Sequence, residues 1–180
     1  MNIALTAFTR RGAALARDLA RALSVDGHRC TLACGEKLAA ELDLPDAYES
    51  LGAWVGARFV DQDALIFVGA SGIAVRAIAP YVRDKFTDPA VLSLDEAGRF
   101  VVPLLSGHVG GANDLARRVA GITGGTAVIS TATDVNGLFA VDEWAVKHDL
   151  VITDRRLAKA VSAALLEGKR GGVASGLPAR

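Results

Sequence analysis

Between Leu104 and Leu115 the chain passes from an apolar run through Ser106-Gly107-His108-Val109-Gly110-Gly111 into Ala112-Asn113-Asp114-Leu115. Glycines let such a turn approach another molecule closely. The helix that opens behind it offers unpaired N–H donors at a positive dipole end. The pattern suits an anionic group or a polarised carbonyl. His108 is a candidate general base or hydrogen-bond donor, and capping of the following helix is the plainer role. Metal ligation is disfavoured because no partner stands at ligand spacing, so no protein metal site is expected.

Two further loops carry similar chemistry. Gly69-Ala70-Ser71-Gly72 follows an apolar run and leads into a helix bearing Arg76. It is either a tight strand-to-helix turn or a ligand loop. Ile73 stands where a nucleophile elbow needs its last glycine. No Gly-Lys-Ser/Thr follows as a P-loop requires, and G-x-G-x-x-G is absent, which argues against a nicotinamide cofactor. In Ser130-Thr131-Ala132-Thr133-Asp134, Asp134 can orient a water or His108, or cap a turn. All three loops follow strands read in the same sense, so they are expected on one edge of a sheet, as a small-molecule site requires. Asp84-Lys85 and Asp88-Pro89 lie in a charged loop, solvated by default. Glu96 reads as a turn residue, and Asp142-Glu143 as acids complementing a helix start.

The elements that must position these residues alternate between strand and helix. Ile3–Phe8, Thr31–Ala33, Ala64–Gly69, Val91–Leu94, Phe100–Leu105 and Ala127–Ser130 read as strands. Leu15, Leu19 and Leu23 recur at helical spacing. Lys37–Leu42, Ser50–Phe59, Ile73–Ala79, Asn113–Ala120 and Asp142–His148 are the other short helices. Asp154 caps a last one with an apolar stripe of Leu157, Val161 and Leu165, ended by Gly168. Lys169–Gly172 is a basic loop, and Val173 begins a further segment. The fold expected is α/β, a three-layer, Rossmann-like sandwich with a mainly parallel sheet. The runs flanking Asp95–Gly98 suggest an appended hairpin.

The chain has 180 residues, enough for one well-filled core or a domain with an appendage. Twenty Lys and Arg balance twenty Asp and Glu, which argues against nucleic acid or an anionic membrane surface as partner. The chain is 51% hydrophobic but only 6% aromatic, so a closely packed aliphatic core is expected. No apolar run is long enough to span a membrane, and the N-terminus does not read as a secretory signal. Cys30 and Cys34 read as plain reduced residues of a cytoplasmic protein rather than half of a zinc site.

Gly69-Ala70-Ser71-Gly72-Ile73-Ala74-Val75-Arg76-Ala77-Ile78-Ala79-Pro80 resembles a signature of the CbiG family of cobalamin-biosynthesis proteins, the cobalt-precorrin 5A hydrolases. The resemblance extends to Asp84-Lys85 with Asp88-Pro89-Ala90-Val91, to Leu104–Leu115, to Thr131-Ala132-Thr133-Asp134 and to Phe139–Ala145. It implies hydrolytic opening of the δ-lactone of a cobalt-containing macrocycle, with a two-carbon fragment leaving as acetaldehyde. On this reading His108 or Asp134 activates water. The N–H groups around Gly107, Gly110 and Gly111 stabilise the oxyanion or hold a carboxylate arm, and Arg76 and Lys85 pair with other arms. Gly69, Ser71, Gly72, Ser106, Asn113, Thr131 and Thr133 complete the expected substrate-binding set. No cofactor is implied, since cobalt arrives with the substrate.

The resemblance also implies an organisation. Residues 1–149 match the N-terminal α/β domain, and 150–180 the incomplete start of a central region. Family members usually continue into a separate C-terminal domain resembling the aerobic pathway's CobE. A domain of that type, or a second copy of the chain, is therefore an expected partner beside the corrinoid. The alternative role is a non-catalytic corrinoid-binding subunit. A sugar-phosphate-binding domain would leave the histidine–glycine turn and the Thr-Asp loop unexplained.

Overall fold

The computed structural model describes residues 1–148, 150–170 and 172. Two compact units divide it, residues 1–129 and 130–180. The expected family boundary near 149 falls inside the second unit, and the segment beginning at Val173 lies outside the described residues.

The first unit is a doubly wound sheet. Its elements run β1 (Asn2–Ala7), α1 (Arg10–Val25), β2 (Arg29–Gly35), α2 (Glu36–Glu41), β3 (Asp46–Tyr48), α3 (Leu51–Asp61), β4 (Ala64–Val68) and α4 (Ser71–Ile78). β5 (Ala90–Leu94), β6 (Phe100–Leu105), α5 (Ala112–Thr123) and β7 (Thr126–Ala127) follow. The strand order is β3-β2-β1-β4-β5-β6-β7. β1 to β5 are mutually parallel, β6 returns antiparallel to β5, and β7 runs with β6. The expected α/β sandwich with its hairpin is what forms.

Why the sheet sits at the centre follows from β4, whose five residues are all buried. Ala64, Ile66 and Val68 face one core with Leu19 and Leu23 of α1 and Leu115 and Val119 of α5. Leu65 and Phe67 face the other, with Val55 and Phe59 of α3 and Ala74 and Ile78 of α4. Alternation along one strand thus buries both faces, as parallel sheets require. Each such leucine or phenylalanine contributes about 1.5–3 kcal/mol by leaving water. In α1 the buried positions Gly12, Ala13, Ala16, Leu19 and Leu23 put small residues where the helix meets the sheet. A Cβ on Gly12 would stand 3.3 Å from the Val68 carbonyl. Thr9 caps the helix by accepting the Gly12 N–H.

β3 was not expected; it pairs Ala33 with Asp46 and Gly35 with Tyr48. β7 is shorter than expected, although the Val128 N–H still reaches the Val101 carbonyl at 2.8 Å. Cys30 and Cys34 are free, and burial pushes both thiols up. No helix among the described residues is long and apolar enough to cross a membrane.

α1 and α5 are joined at the surface by a bidentate pair. Arg118 Nε donates to Asp26 Oδ2 at 2.5 Å and Nη2 to Oδ1 at 2.8 Å. The Arg118 hydrogen bond holds the Asp26 carboxyl below its ordinary 3.8. A depressed folded-state pKa contributes stability that is fully present above the ordinary value and lost as pH falls through the lower one. Asp26→Asn is therefore expected to lower the melting temperature at neutral pH, with the gap from the parent chain closing below about pH 4. Melting curves of both proteins across pH check this; a gap that does not change with pH refutes it.

The second unit holds α6 (Ala132–Val135), α7 (Val141–Lys147) and α8 (Arg155–Leu166). Asp154 caps α8 as expected, accepting the N–H groups of Arg156 and Leu157 at 2.9 Å. Its apolar stripe is not buried: Leu157 is 62% and Val161 37% exposed.

Candidate functional site

The direction of β6 decides where the candidate residues fall. Val91 at the start of β5 pairs with Leu105 at the end of β6, whereas Leu94 pairs with Val101. The turn after Leu105 therefore leaves the sheet at the edge where β1, β4 and β5 begin. Gly69–Gly72 leaves from the opposite edge, since Val68 pairs with Leu94. The expectation that these loops share one edge is thus corrected. The Asp95–Gly98 turn reverses the chain, and at about 3.3 Å per residue the five residues of β5 separate the two loops by roughly 15 Å. The third loop, from Ser130, belongs to the second unit.

At the amino edge the histidine turn is tightly organised. Ser106 is buried and takes the left-handed φ of 56°. Its carbonyl accepts the Ala112 N–H at 3.1 Å, the Gly107 carbonyl accepts Asn113 N–H at 2.9 Å, and the His108 carbonyl accepts Gly111 N–H at 3.0 Å. The N–H groups of Gly111, Ala112 and Asn113 are therefore engaged by the turn itself, and Gly111 is the one of them in the expected oxyanion set. A Cβ on Gly110 would lie 2.4 Å from Ser106 Cβ, and one on Gly107 2.9 Å from Asn113 Oδ1. Both glycines are thus required by close approach within the protein. Gly111, at φ 77°, is the left-handed residue that starts α5. Asn113 is buried, and His108 is half-buried.

The loop leading to β5 meets this turn. Ser106 Oγ donates to the Asp88 carbonyl at 2.8 Å, so its hydroxyl is engaged within the protein. The Asp88 carboxylate accepts the N–H groups of Arg83 at 2.8 Å and Asp84 at 3.1 Å. Lys85, carried by this loop, holds its ammonium 4.8 Å from the Phe86 ring centroid. A cleft of about 450 Å³ opens between Asp63, Thr87, Asp88 and Pro89 on one side and Val109 and Gly110 on the other. The imidazole and the ammonium are thus carried on the two segments that border this small cleft, although neither His108 nor Lys85 lines it; water activation and carboxylate binding are the chemistry those groups offer.

The carboxyl edge is different in kind. Strand order reverses between β1 and β4, and a cleft of about 770 Å³ lies there, lined by Phe8, Arg10, Lys37, Tyr48, Leu51 and Ile73 among others. Such switch points are where open α/β sheets bind ligands. Arg10 is paired with Glu41 at 2.8 Å, and Tyr48 shares a 2.8 Å hydrogen bond with Thr6. Gly69 admits the Phe8 ring, which a Cβ there would meet at 2.5 Å. Ser71 Oγ is 3.1 Å from Ser93 Oγ, and Arg76 donates to the Gly72 carbonyl at 3.0 Å. The Thr9 hydroxyl donates to Glu96 at 2.6 Å, so Glu96 does more than complete its turn. The lining residues were not read in the sequence as a site, although Phe8 directly follows β1, a strand that it does signal.

In the second unit Thr131 donates to Asp134 Oδ2 at 2.6 Å, and Thr133 is buried. Trp144 packs between Phe139 and His148, at ring-centroid distances of 6.0 and 4.5 Å.

A family described as cobalamin synthesis G N-terminal matches residues 53–134. The chain is 44% identical over 174 residues to a protein of Salmonella typhimurium named cobalt-precorrin-5A hydrolase, covering 96% of this chain and 48% of that one. A Priestia megaterium protein of the same name is 34% identical over 143 residues, 78% of this chain and 38% of that one. The chain thus spans about half the length of these relatives or less. A crystal structure of a cobalamin biosynthesis protein G homologue from Sulfolobus solfataricus superposes with a TM-score of 0.60 at 21% identity. It covers 99% of this chain and 51% of that one, and establishes likeness of fold.

Proposed function

Because this chain belongs to the CbiG family of cobalamin-biosynthesis proteins, we propose that it acts in opening the δ-lactone of cobalt-precorrin 5A, with release of acetaldehyde. The observation that carries this reading is the shared name of relatives aligned across most of the chain, the histidine turn included. Cobalt belongs to the substrate.

In the proposed reaction His108 takes a proton from water, and the resulting hydroxide bonds to the lactone carbonyl carbon. The tetrahedral intermediate breaks its ring C–O bond to leave a carboxylate and an alkoxide. Cleavage of the C–C bond to the macrocycle then frees the alkoxide carbon as acetaldehyde; the bond's electron pair stays on the ring carbon, which takes the proton held by His108, and the carboxyl proton passes to solvent. One water is consumed for each acetaldehyde released. Asp134 remains the second candidate for activating water, on the strength of its threonine loop. Lys85, at the same edge as His108, is the clamp for a carboxylate arm. A corrinoid-binding role without catalysis is the alternative that an acetaldehyde assay separates. A further domain or a second copy enclosing the substrate also belongs to the proposal, and is tested by adding the relatives' remaining half in trans.

Which edge holds the macrocycle is open to a direct comparison. Lys85→Gln is expected to weaken corrinoid binding about tenfold, the loss of one charge-assisted pair, and Arg76→Gln by less. Titration followed by corrinoid absorbance measures both. If Arg76→Gln is the more damaging, the macrocycle lies at the carboxyl edge and Lys85 loses its role.

A further inference from the structure

We propose that Asp88 is a positioning residue that holds the His108 turn and the Lys85 loop in register, one through its carbonyl and the other through its carboxylate. The inference rests on the roles proposed above for His108 and Lys85.

Asp88 is only 8% exposed. Its carboxylate gathers the N–H groups of Arg83 and Asp84. Its own N–H and that of Thr87 donate to the Asp84 carbonyl at 2.8 and 3.0 Å. The Asp84 carboxylate in turn accepts the Phe86 N–H at 3.0 Å. These bonds wind residues 83–88 into one compact loop, with Lys85 inside the span they close.

The carbonyl of the same residue faces the other way chemically. It accepts the buried Ser106 hydroxyl, and Ser106 is the residue around which the histidine turn folds. Gly110 packs on Ser106 Cβ, and Ala112 donates to the Ser106 carbonyl. Ser106 also holds a left-handed φ that glycine would adopt more easily. A serine kept in a conformation that disfavours it points to a need for its hydroxyl. That hydroxyl reaches Asp88.

The two ends of Asp88 therefore act on different kinetic parameters. Losing the carbonyl link frees the histidine turn, and small misplacements of a reacting group cost rate. Losing the carboxylate opens the lysine loop and costs binding of the substrate in its ground state, which appears in KM.

The test uses the full chain with Ser106→Gly, Asp88→Ala and Asp88→Asn. Acetaldehyde kinetics are measured together with imidazole and backbone amide NMR spectra. Ser106→Gly relieves the backbone and removes the hydroxyl together with the Cβ that carries it. It is expected to lower kcat about tenfold with KM little changed, and to shift His108 resonances while His28 and His148 stay in place. Asp88→Ala is expected to raise KM about tenfold with kcat within about threefold, to shift amides of residues 83–86 and to leave His108 in place. Asp88→Asn keeps an acceptor and should recover most of the KM. Loss of melting temperature alone, with both kinetic parameters unchanged, overturns the proposal. So does the same kcat and KM pattern in Ser106→Gly and Asp88→Ala. Should the parent chain release no acetaldehyde even with the relatives' remaining half added, the functional reading fails, while the spectra still decide the two links.

Discussion

His108→Ala is expected to cut acetaldehyde release by at least about a hundredfold, the usual contribution of a positioned general base. The turn that carries it should survive the change. The backbone bonds that fold it, between Ser106 and Ala112, Gly107 and Asn113, and His108 and Gly111, are all kept by alanine. A melting temperature close to that of the parent chain would therefore accompany the loss. The assay is acetaldehyde released from cobalt-precorrin 5A, by the chain alone and with the remaining half of a full-length relative added. Normal turnover in the variant would remove His108 from the reaction and leave Asp134 as the candidate.

The second large effect is expected at Gly110. Alanine there would place Cβ 2.4 Å from Ser106 Cβ and 2.9 Å from the Ser106 carbonyl oxygen. Ser106 cannot readily retreat, because its hydroxyl is bound to Asp88 and its carbonyl to Ala112. Overpacking of this kind costs about 1–3 kcal/mol. A turn displaced by about 1 Å would also lose activity on the order of a hundredfold. Gly121→Ala is the control: a Cβ there meets nothing within 4 Å on an exposed face of α5, so helix propensity should stabilise the chain by up to about 1 kcal/mol. Denaturant melts of the two variants check both signs. Equal stability for Gly110→Ala and the parent would mean that the turn is looser than its contacts indicate.

Much of the architecture is legible in the residues themselves. The apolar run Ala64–Val68 has no polar face, so only a strand covered on both sides accommodates it. Asp154 caps α8 with its own carboxylate, and local chemistry of that kind is read without tertiary information. β3 escapes because three residues, two of them exposed, carry no period. Its partner supplies the reason it exists.

The candidate site was less legible. Glycine, histidine and aspartate mark the right loops, but loops acquire an edge only from strand direction. The hairpin was readable at Asp95–Gly98, and its reversal moves His108 away from Ser71 and Arg76. Ser106 illustrates a second obstacle. Nothing in Leu-Ser-Gly tells a substrate-facing hydroxyl from one turned inward to a carbonyl 18 positions earlier. Asp88, similarly, looks like a solvated loop acid until its buried bonds are seen.

The bare stripe on α8 has a consequence for how the molecule breathes. With no residue of the helix buried, it is supported by the Asp154 cap, its four alanines and shallow packing on α6 and α7. Twelve residues so supported sit near the limit at which a helix persists in water. Its amide protons should trade for deuterium far sooner than those of β4, where opening requires the whole sheet to come apart. Slowed uptake along Leu157–Leu165 then becomes a gauge of when that face has been covered, whatever covers it.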